Sequence, residues 1–310
     1  LTVVWERGLA PGPAGGADVV HAPTLLAPAR RSRPLVVTVH DAVPWTHPET
    51  LTPRGVAWHR RMGEYAARVA DLVVVPTRSV AEELAGLLPG LGERVIVVGH
   101  GVSAGLGAEP PDADRRARRL ELPAGGYLLS LATLEPRKGL DVLLAALAVL
   151  AGSAGPAGPN LPLLLVGQPG WGGVDPVAEA ARLGLPEGRV RVLGRVDDAD
   201  LAVLLHRATA LAAPSRAEGF GLPVLEAMAA GTPVVSSDAP ALVEVAGGAG
   251  VVVPVGSADA LAGALRRVVR DGALRTRLVT AGRQRAKSYS WDSAGRTLWT
   301  AYEKLTPSAA

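Results

Sequence analysis

Two carboxylates and two cations carry the chemical signal of this sequence. Glu218 and Glu226 stand in Pro214-Ser-Arg-Ala-Glu-Gly-Phe-Gly-Leu-Pro-Val-Leu-Glu226. The apolar run ending at Ala213 reads as a strand, and Pro223 falls in the first turn of the helix that follows, where proline is favoured. Gly219 and Gly221 let the backbone approach a ligand closely. The amides of such a helix start favour negative charge and hydroxyl acceptors. Glutamates at this spacing also arise on solvated helix faces; the setting in strand, glycine loop and helix start is what marks this pair. Thr133-Leu-Glu-Pro-Arg-Lys-Gly139 is a second strand-to-helix loop. Its Arg137 and Lys138 lie beside the N-terminus of the next helix, and cations plus helix amides at one spot make a seat for a pyrophosphate. Taken alone, this loop is better read as an exposed basic turn. One cationic and one carboxylate-bearing loop on the same sheet point to a nucleotide-linked substrate.

Other chemistries find less support. Cysteine is absent, which excludes a disulfide scaffold, a Cys-ligated zinc site and a thiol nucleophile. Asp112-Ala-Asp114 and Asp198-Ala-Asp200 have the Asp-x-Asp form that can hold a metal. The first precedes an arginine run and the second opens a helix with Asp198 near its cap, so no metal is expected at either. Gly99-His-Gly-Val-Ser-Ala-Gly105 follows a strand but leads to Pro110-Pro111 rather than a helix, unlike a dinucleotide fingerprint. No nucleophile elbow and no phosphate-binding P-loop occurs. His40, with Asp41, ends a strand. His21 either lines a site or closes its strand, and Trp171, flanked by glycines, is placed to cover a ligand. His59-Arg-Arg61 and Arg68 share a helix with Trp58, Met62 and Tyr65; this is either a solvated helix or a face for weak peripheral contact with an anionic membrane.

The elements that must position these residues alternate between short apolar strands and helical runs. Strands are expected at 18–21, 35–40, 72–75 and 94–98, with helices at 52–70 and 79–88. A second series has strands at 127–132, 163–166, 190–193, 208–213, 233–236 and 251–253. Its helices are expected at 139–151, 175–183, 198–206, 223–230 and 240–246. Nearly continuous apolar strands separated by helices indicate parallel sheets covered on both faces, with ligands beyond the carboxyl ends of the strands. The predicted fold is α/β, with two Rossmann-like doubly wound domains facing a cleft. The first domain spans 1–105, the second 106–289, and a C-terminal helix at 290–310 crosses back toward the first. The Gly- and Pro-rich stretch 103–123 reads as the connection between them. The chain has 310 residues, 48% hydrophobic and 20% charged, and 32 basic against 29 acidic side chains leave a net charge of +3. That surplus is too small to imply nucleic-acid binding. No run approaches the ~20 apolar residues of a membrane span, and no signal peptide opens the chain, so a cytoplasmic protein is expected, the 52–70 helix being better read as solvated than as a contact with the inner membrane face.

The Glu-(seven residues)-Glu segment and the Glu-Pro-Arg-Lys-Gly loop resemble the retaining glycosyltransferases of family four, which have the GT-B fold. Val39-His40-Asp41, Val75-Pro-Thr-Arg-Ser79 and Leu165-Val-Gly-Gln-Pro-Gly-Trp171 are similar to phrases of that family, and the likeness runs from about Asp18 to the C-terminus. The resemblance implies that Arg137 and Lys138 hold the donor diphosphate and that Glu226 binds the nucleotide ribose. It implies that Glu218, with the amides of Gly219, Phe220, Gly221 and Leu222, contacts the donor sugar. His40 would lie near the reacting sugar, and Arg195 and Val196 at the base. Apart from the resemblance, His21, Asp41 and Trp171 are candidates for the acceptor or the cleft, with Trp171 placed either to cover the donor or to contact the acceptor. The implied activity is a metal-independent hexose transfer, with mannose from GDP-mannose the first expectation, UDP-sugars the second, and a glycan or lipid-linked acceptor. Family members begin with a strand and a glycine-rich loop; Leu1–Trp5 reads as part of a strand, but Gly12–Gly16 lacks the strand–helix setting of that loop. A first domain short by roughly 60 residues, at ~30 per βαβ unit, is therefore expected. The different-class alternative is a nucleotide-sugar-binding or inactive protein that lacks acceptor transfer.

Overall fold

The structure is a computed structural model that describes residues 5, 16–28, 33–153 and 161–306. The expectations at residues 1–4 and 12–15 lie outside the described residues. The chain divides into two compact units, Leu1–Gly101 with Tyr289–Ala310, and Val102–Ser288.

The first unit holds four parallel strands in the order β1 (Val20–Ala22), β2 (Leu35–Thr38), β3 (Leu72–Val75), β4 (Val95–Val97). Side chains alternate across the sheet with period two. Leu35, Val37, Val73 and Val75 bury against Met62 and Ala66 of the Pro53–Val69 helix and Val80 and Leu84 of the Arg78–Leu87 helix. Val36 and Val74 face the opposite way, onto Ala294, Leu298 and Tyr302 of the Trp291–Leu305 helix. Both layer helices on the first face have threonine caps, Thr52 and Thr77, whose hydroxyls accept the Gly55 and Val80 amides. On the Pro53–Val69 helix, His59 bonds the Gly55 carbonyl at 2.7 Å and the Arg60 Nε donates to the Pro44 carbonyl at 2.9 Å. His59 and Arg60, read from sequence as part of a solvated or membrane-facing helix, are thus engaged within the fold.

The second unit holds six parallel strands: β5 (Leu128–Leu131), β6 (Leu163–Val166), β7 (Val190–Gly194), β8 (Ala210–Ala213), β9 (Val234–Ser237) and β10 (Val251–Val253). Their spatial order is β10-β9-β8-β5-β6-β7. The chain therefore winds outward from β5 in one direction through β7, then returns to the other side of β5 and winds outward through β10. Loops leaving β5 and β8 diverge from adjacent strands, and the crevice they flank is the topological switch point, where α/β sheets bind ligands.

The structure corrects the reading of 103–123 as a connection. This stretch lies in the second unit and contains the Ala113–Arg119 helix. Arg116 pairs with Asp112 at 3.0 Å, with Asp197 at 3.2 Å and with Asp200 at 2.7 Å, while Arg119 also pairs with Asp200. Ala113 and Ala117 meanwhile pack against Val203 of the Asp198–Arg207 helix. Two further helices, Ala258–Arg270 and Gly272–Ala286, follow β10 and were not among the expected elements. Among the described residues no helix is long and apolar enough to cross a membrane.

Candidate active site

At the switch point the two loops singled out from sequence meet. Gly139 closes the first of them in the left-handed region at φ 65°, and a Cβ there would lie 2.2 Å from the Pro214 carbonyl oxygen. Only glycine permits both the backbone angle and that approach. The Arg216 amide donates to the Arg137 carbonyl at 2.8 Å. The Arg216 side chain donates to the Pro136 carbonyl at 2.9 Å and to Asp141 at 2.6 Å. The loop after β6 joins them: the Leu134 amide donates to Gln168 at 2.9 Å and the Gly170 amide to Leu134 at 3.2 Å. Trp171 follows in that loop, half-buried.

The charged groups of the two loops form one cluster. Arg137 donates through Nη1 to Glu218 Oε2 at 2.7 Å and to the Ala217 carbonyl at 3.0 Å, and through Nη2 to Glu135 Oε1 at 2.8 Å. The Lys138 ammonium donates to Glu218 Oε1 at 2.6 Å, and the Ser215 hydroxyl donates to the same oxygen at 2.7 Å. The side chains of Glu218, Lys138 and Arg137 are only 10%, 12% and 18% exposed. Burial alone would raise the Glu218 carboxyl; Lys138, Arg137 and the Ser215 hydroxyl outweigh it and hold the group below its usual range. Ser215 is itself fixed, because its carbonyl accepts the Ser237 hydroxyl at 2.5 Å. Glu135 and Ser215 were not picked out from sequence, where each is a polar residue inside a motif with nothing local to show its partner.

Glu226 has the opposite environment. Gly221 caps the Leu222–Ala230 helix at φ 100°, where a Cβ would meet Leu242 at 2.5 Å, and Pro223 takes the second helical position rather than the first. Gly219, Phe220 and Gly221 are buried beside it, with Leu222 partly so. One turn into the helix, the half-buried Glu226 carboxylate has no hydrogen-bond or ion-pair partner among the described residues. Burial, and secondarily the Asp198 charge, push its carboxyl upward. Asp198 is exposed, as is Arg195, and Val196 is half-buried. Asp198 opens the Asp198–Arg207 helix next to its cap, Asp197, whose carboxylate accepts the Asp200 amide at 2.7 Å. Three of the four Asp-x-Asp carboxylates are paired with arginines, Asp112 with Arg115 and Arg116, Asp114 with Arg207, and Asp200 with Arg116 and Arg119.

In the first unit, exposed His40 follows β2 and its Nε2 bonds the Pro23 carbonyl at 2.8 Å. Asp41 Oδ1 accepts the Val43 amide at 3.0 Å. His21 is engaged at both ring nitrogens, by the Tyr302 hydroxyl at 2.5 Å and the Thr38 hydroxyl at 2.7 Å, and burial lowers its pKa. It thereby ties β1 and β2 to the C-terminal helix.

Comparison with known proteins gives the arrangement a family. A family model described as "Glycosyl transferases group 1" matches residues 97–285, and one described as "Glycosyltransferase Family 4" matches residues 11–106. O-antigen chain mannosyltransferase B of Escherichia coli is 31% identical over 93% of this chain and 74% of its own length. D-inositol 3-phosphate glycosyltransferase of Nocardioides sp. is 32% identical over 96% of this chain and 69% of its own. Among solved structures, Anabaena Alr3699/HepE in complex with UDP and glucose superposes with a TM-score of 0.74 at 25% identity, covering 87% of this chain and 72% of that one. Two parallel α/β units, a charged switch-point site and these matches together make the chain a member of the group 1 glycosyl transferases, an enzyme of the family four type with the GT-B fold.

Proposed function

We propose that the chain is a retaining, metal-independent hexosyltransferase that moves mannose from GDP-mannose to a glycan or lipid-linked acceptor. The observation that carries this reading is the pairing of Lys138 and Arg137 with Glu218, at 2.6 and 2.7 Å, across two loops of the switch point. Breaking a sugar–diphosphate bond builds positive charge at the anomeric carbon and negative charge on the leaving group. Cations seated on that leaving group by the time the bond breaks lower the barrier. Lys138 and Arg137 take this role, Glu226 binds the ribose hydroxyls, and Arg195 and Val196 flank the base. Glu218 and the Gly219–Gly221 backbone orient the sugar, His40 attends the reacting centre, and Asp41 and Trp171 belong to the acceptor side, while His21, with both ring nitrogens engaged within the fold, serves the strand end rather than the acceptor. Attack on the same face as the departing diphosphate retains the anomeric configuration. Mannose is favoured by the likeness to a protein named as a mannosyltransferase; a UDP-hexose is the second reading, favoured by the likeness to a structure solved with UDP and glucose.

The test is incubation of the full chain with GDP-mannose and a panel of UDP-hexoses, following nucleotide release and identifying product by mass spectrometry and anomeric NMR. Lys138→Ala is expected to lower turnover by about 10²–10³, as for loss of one preorganised charge, with a smaller change in donor affinity. Turnover at the wild-type rate in this variant would refute the assignment. Donor binding with no transfer to any acceptor would favour the binding-protein alternative.

A further inference from the structure

We propose that Glu218 is a built-in stand-in for the donor diphosphate: its carboxylate occupies the cations on which the diphosphate must sit, so donor entry and nucleotide departure exchange one anion for another on Lys138. This rests on the donor-site reading above and adds to it a competition within the protein.

The charges and the donors of the cluster carry the idea. Two carboxylates, Glu135 and Glu218, face two cations, Arg137 and Lys138, within 2.6–2.8 Å. As the side chains stand, the cluster is neutral and offers a diphosphate no net attraction. Arg137 is wedged by both carboxylates and the Ala217 carbonyl, so its planar fork is fixed in place. Lys138 differs: its only acceptor among the described residues is Glu218, and its flexible stem can carry the remaining N–H groups elsewhere. When Lys138 turns to a diphosphate, the Glu218 oxygen it leaves keeps the Ser215 hydroxyl at 2.7 Å. The carboxylate is then held in place and free to accept from sugar hydroxyls. After transfer, Glu218 reclaims Lys138 and helps to expel the nucleoside diphosphate.

An unusual sign follows. Removing the Glu218 charge leaves the cluster net positive, so Glu218→Gln is expected to bind diphosphates more tightly while it transfers sugar more slowly. The experiment is calorimetry on the full chain with GDP, UDP, inorganic pyrophosphate and guanosine. At least tenfold tighter binding of the three diphosphate probes, with guanosine unchanged, supports the exchange. Unchanged or weaker diphosphate binding in Glu218→Gln overturns it. Glu218→Asp keeps the charge, and a gain there as large as that of Gln also overturns it. Ser215→Ala gives a second route should the Gln variant not fold. It makes Glu218 more dependent on Lys138 and should weaken pyrophosphate binding several-fold; no change or tightening counts against the exchange. Wild-type protein that binds none of the diphosphates refutes the donor site itself, which separates that failure from failure of the exchange.

Discussion

Replacing Glu226 by Gln should make the free protein more stable and its donor binding weaker. Glu226 is half-buried, lacks a partner among the described residues and faces the Asp198 charge. A carboxyl raised above its usual 4.5 binds its proton more tightly folded than unfolded, so its ionised form opposes folding. That opposition is absent below the unfolded pKa and grows as pH rises through the raised folded value. Gln leaves a polar amide at the same place, so the variant recovers only the extra penalty of the charge, namely its desolvation and the Asp198 repulsion. At ~1 kcal/mol, the low end of the about 1–3 kcal/mol for an unsatisfied buried group, Glu226→Gln should gain roughly 2–4 °C in midpoint for a unit of 150–250 residues. Thermal scans of both proteins should show this gain at pH 7.5 and its disappearance near pH 4. Nucleoside diphosphate affinity, measured on the same samples, should fall by about tenfold or more, the worth of a charge-assisted hydrogen bond or two at ~1.5–3 kcal/mol each. An equal gain at both pH values, or no gain at pH 7.5, would show that the carboxylate is not strained in the way its surroundings imply.

Two further outcomes test the scaffold. Gly139→Ala forces a Cβ to 2.2 Å from the Pro214 carbonyl at a positive φ. It should destabilise the second unit by at least ~2 kcal/mol, judged from the ~1–2 kcal/mol cost of left-handed backbone plus the clash, and denaturant titration reads this directly. His21 has its pKa lowered from 6.5 by burial, so its neutral form supports folding; that support is complete above pH 6.5 and is lost as pH falls through the lower folded value. The first unit should therefore lose stability on acidification below 6.5, and His21→Gln should flatten that dependence. An unchanged slope in the variant would remove His21 from this role.

Much of this was legible in the residues themselves. Continuous apolar runs marked β3, β6 and β10 at their observed bounds, Leu72–Val75, Leu163–Val166 and Val251–Val253; β6 is buried at all four positions, and a strand buried on both faces needs no alternation to be seen. The two loops at the switch point were recognisable because strand, turn residues and helix start follow one another in the chain. What escaped depended on partners distant in sequence. The Ala113–Arg119 helix looked like an exposed basic connection, since its counter-charges Asp197 and Asp200 lie about 80 residues on. Arg137 gave no local sign that it would be shared between two glutamates, and Ser215 none that it would brace one of them. The Ala258–Arg270 helix could have been found: Ser257 caps it, and Leu261, Leu265 and Val268 recur at helical spacing along its buried face.

The seam between the loops after β5 and β8 is made of backbone: a glycine against the Pro214 carbonyl and a hydrogen bond from the Arg216 amide to the Arg137 carbonyl. Main-chain contacts of this kind do not slide when a side chain is exchanged. Protein engineers who wish to graft either segment from a homologue must therefore transplant its neighbour as well, since a chimera carrying mismatched halves would pry the joint open and scatter the charges it holds.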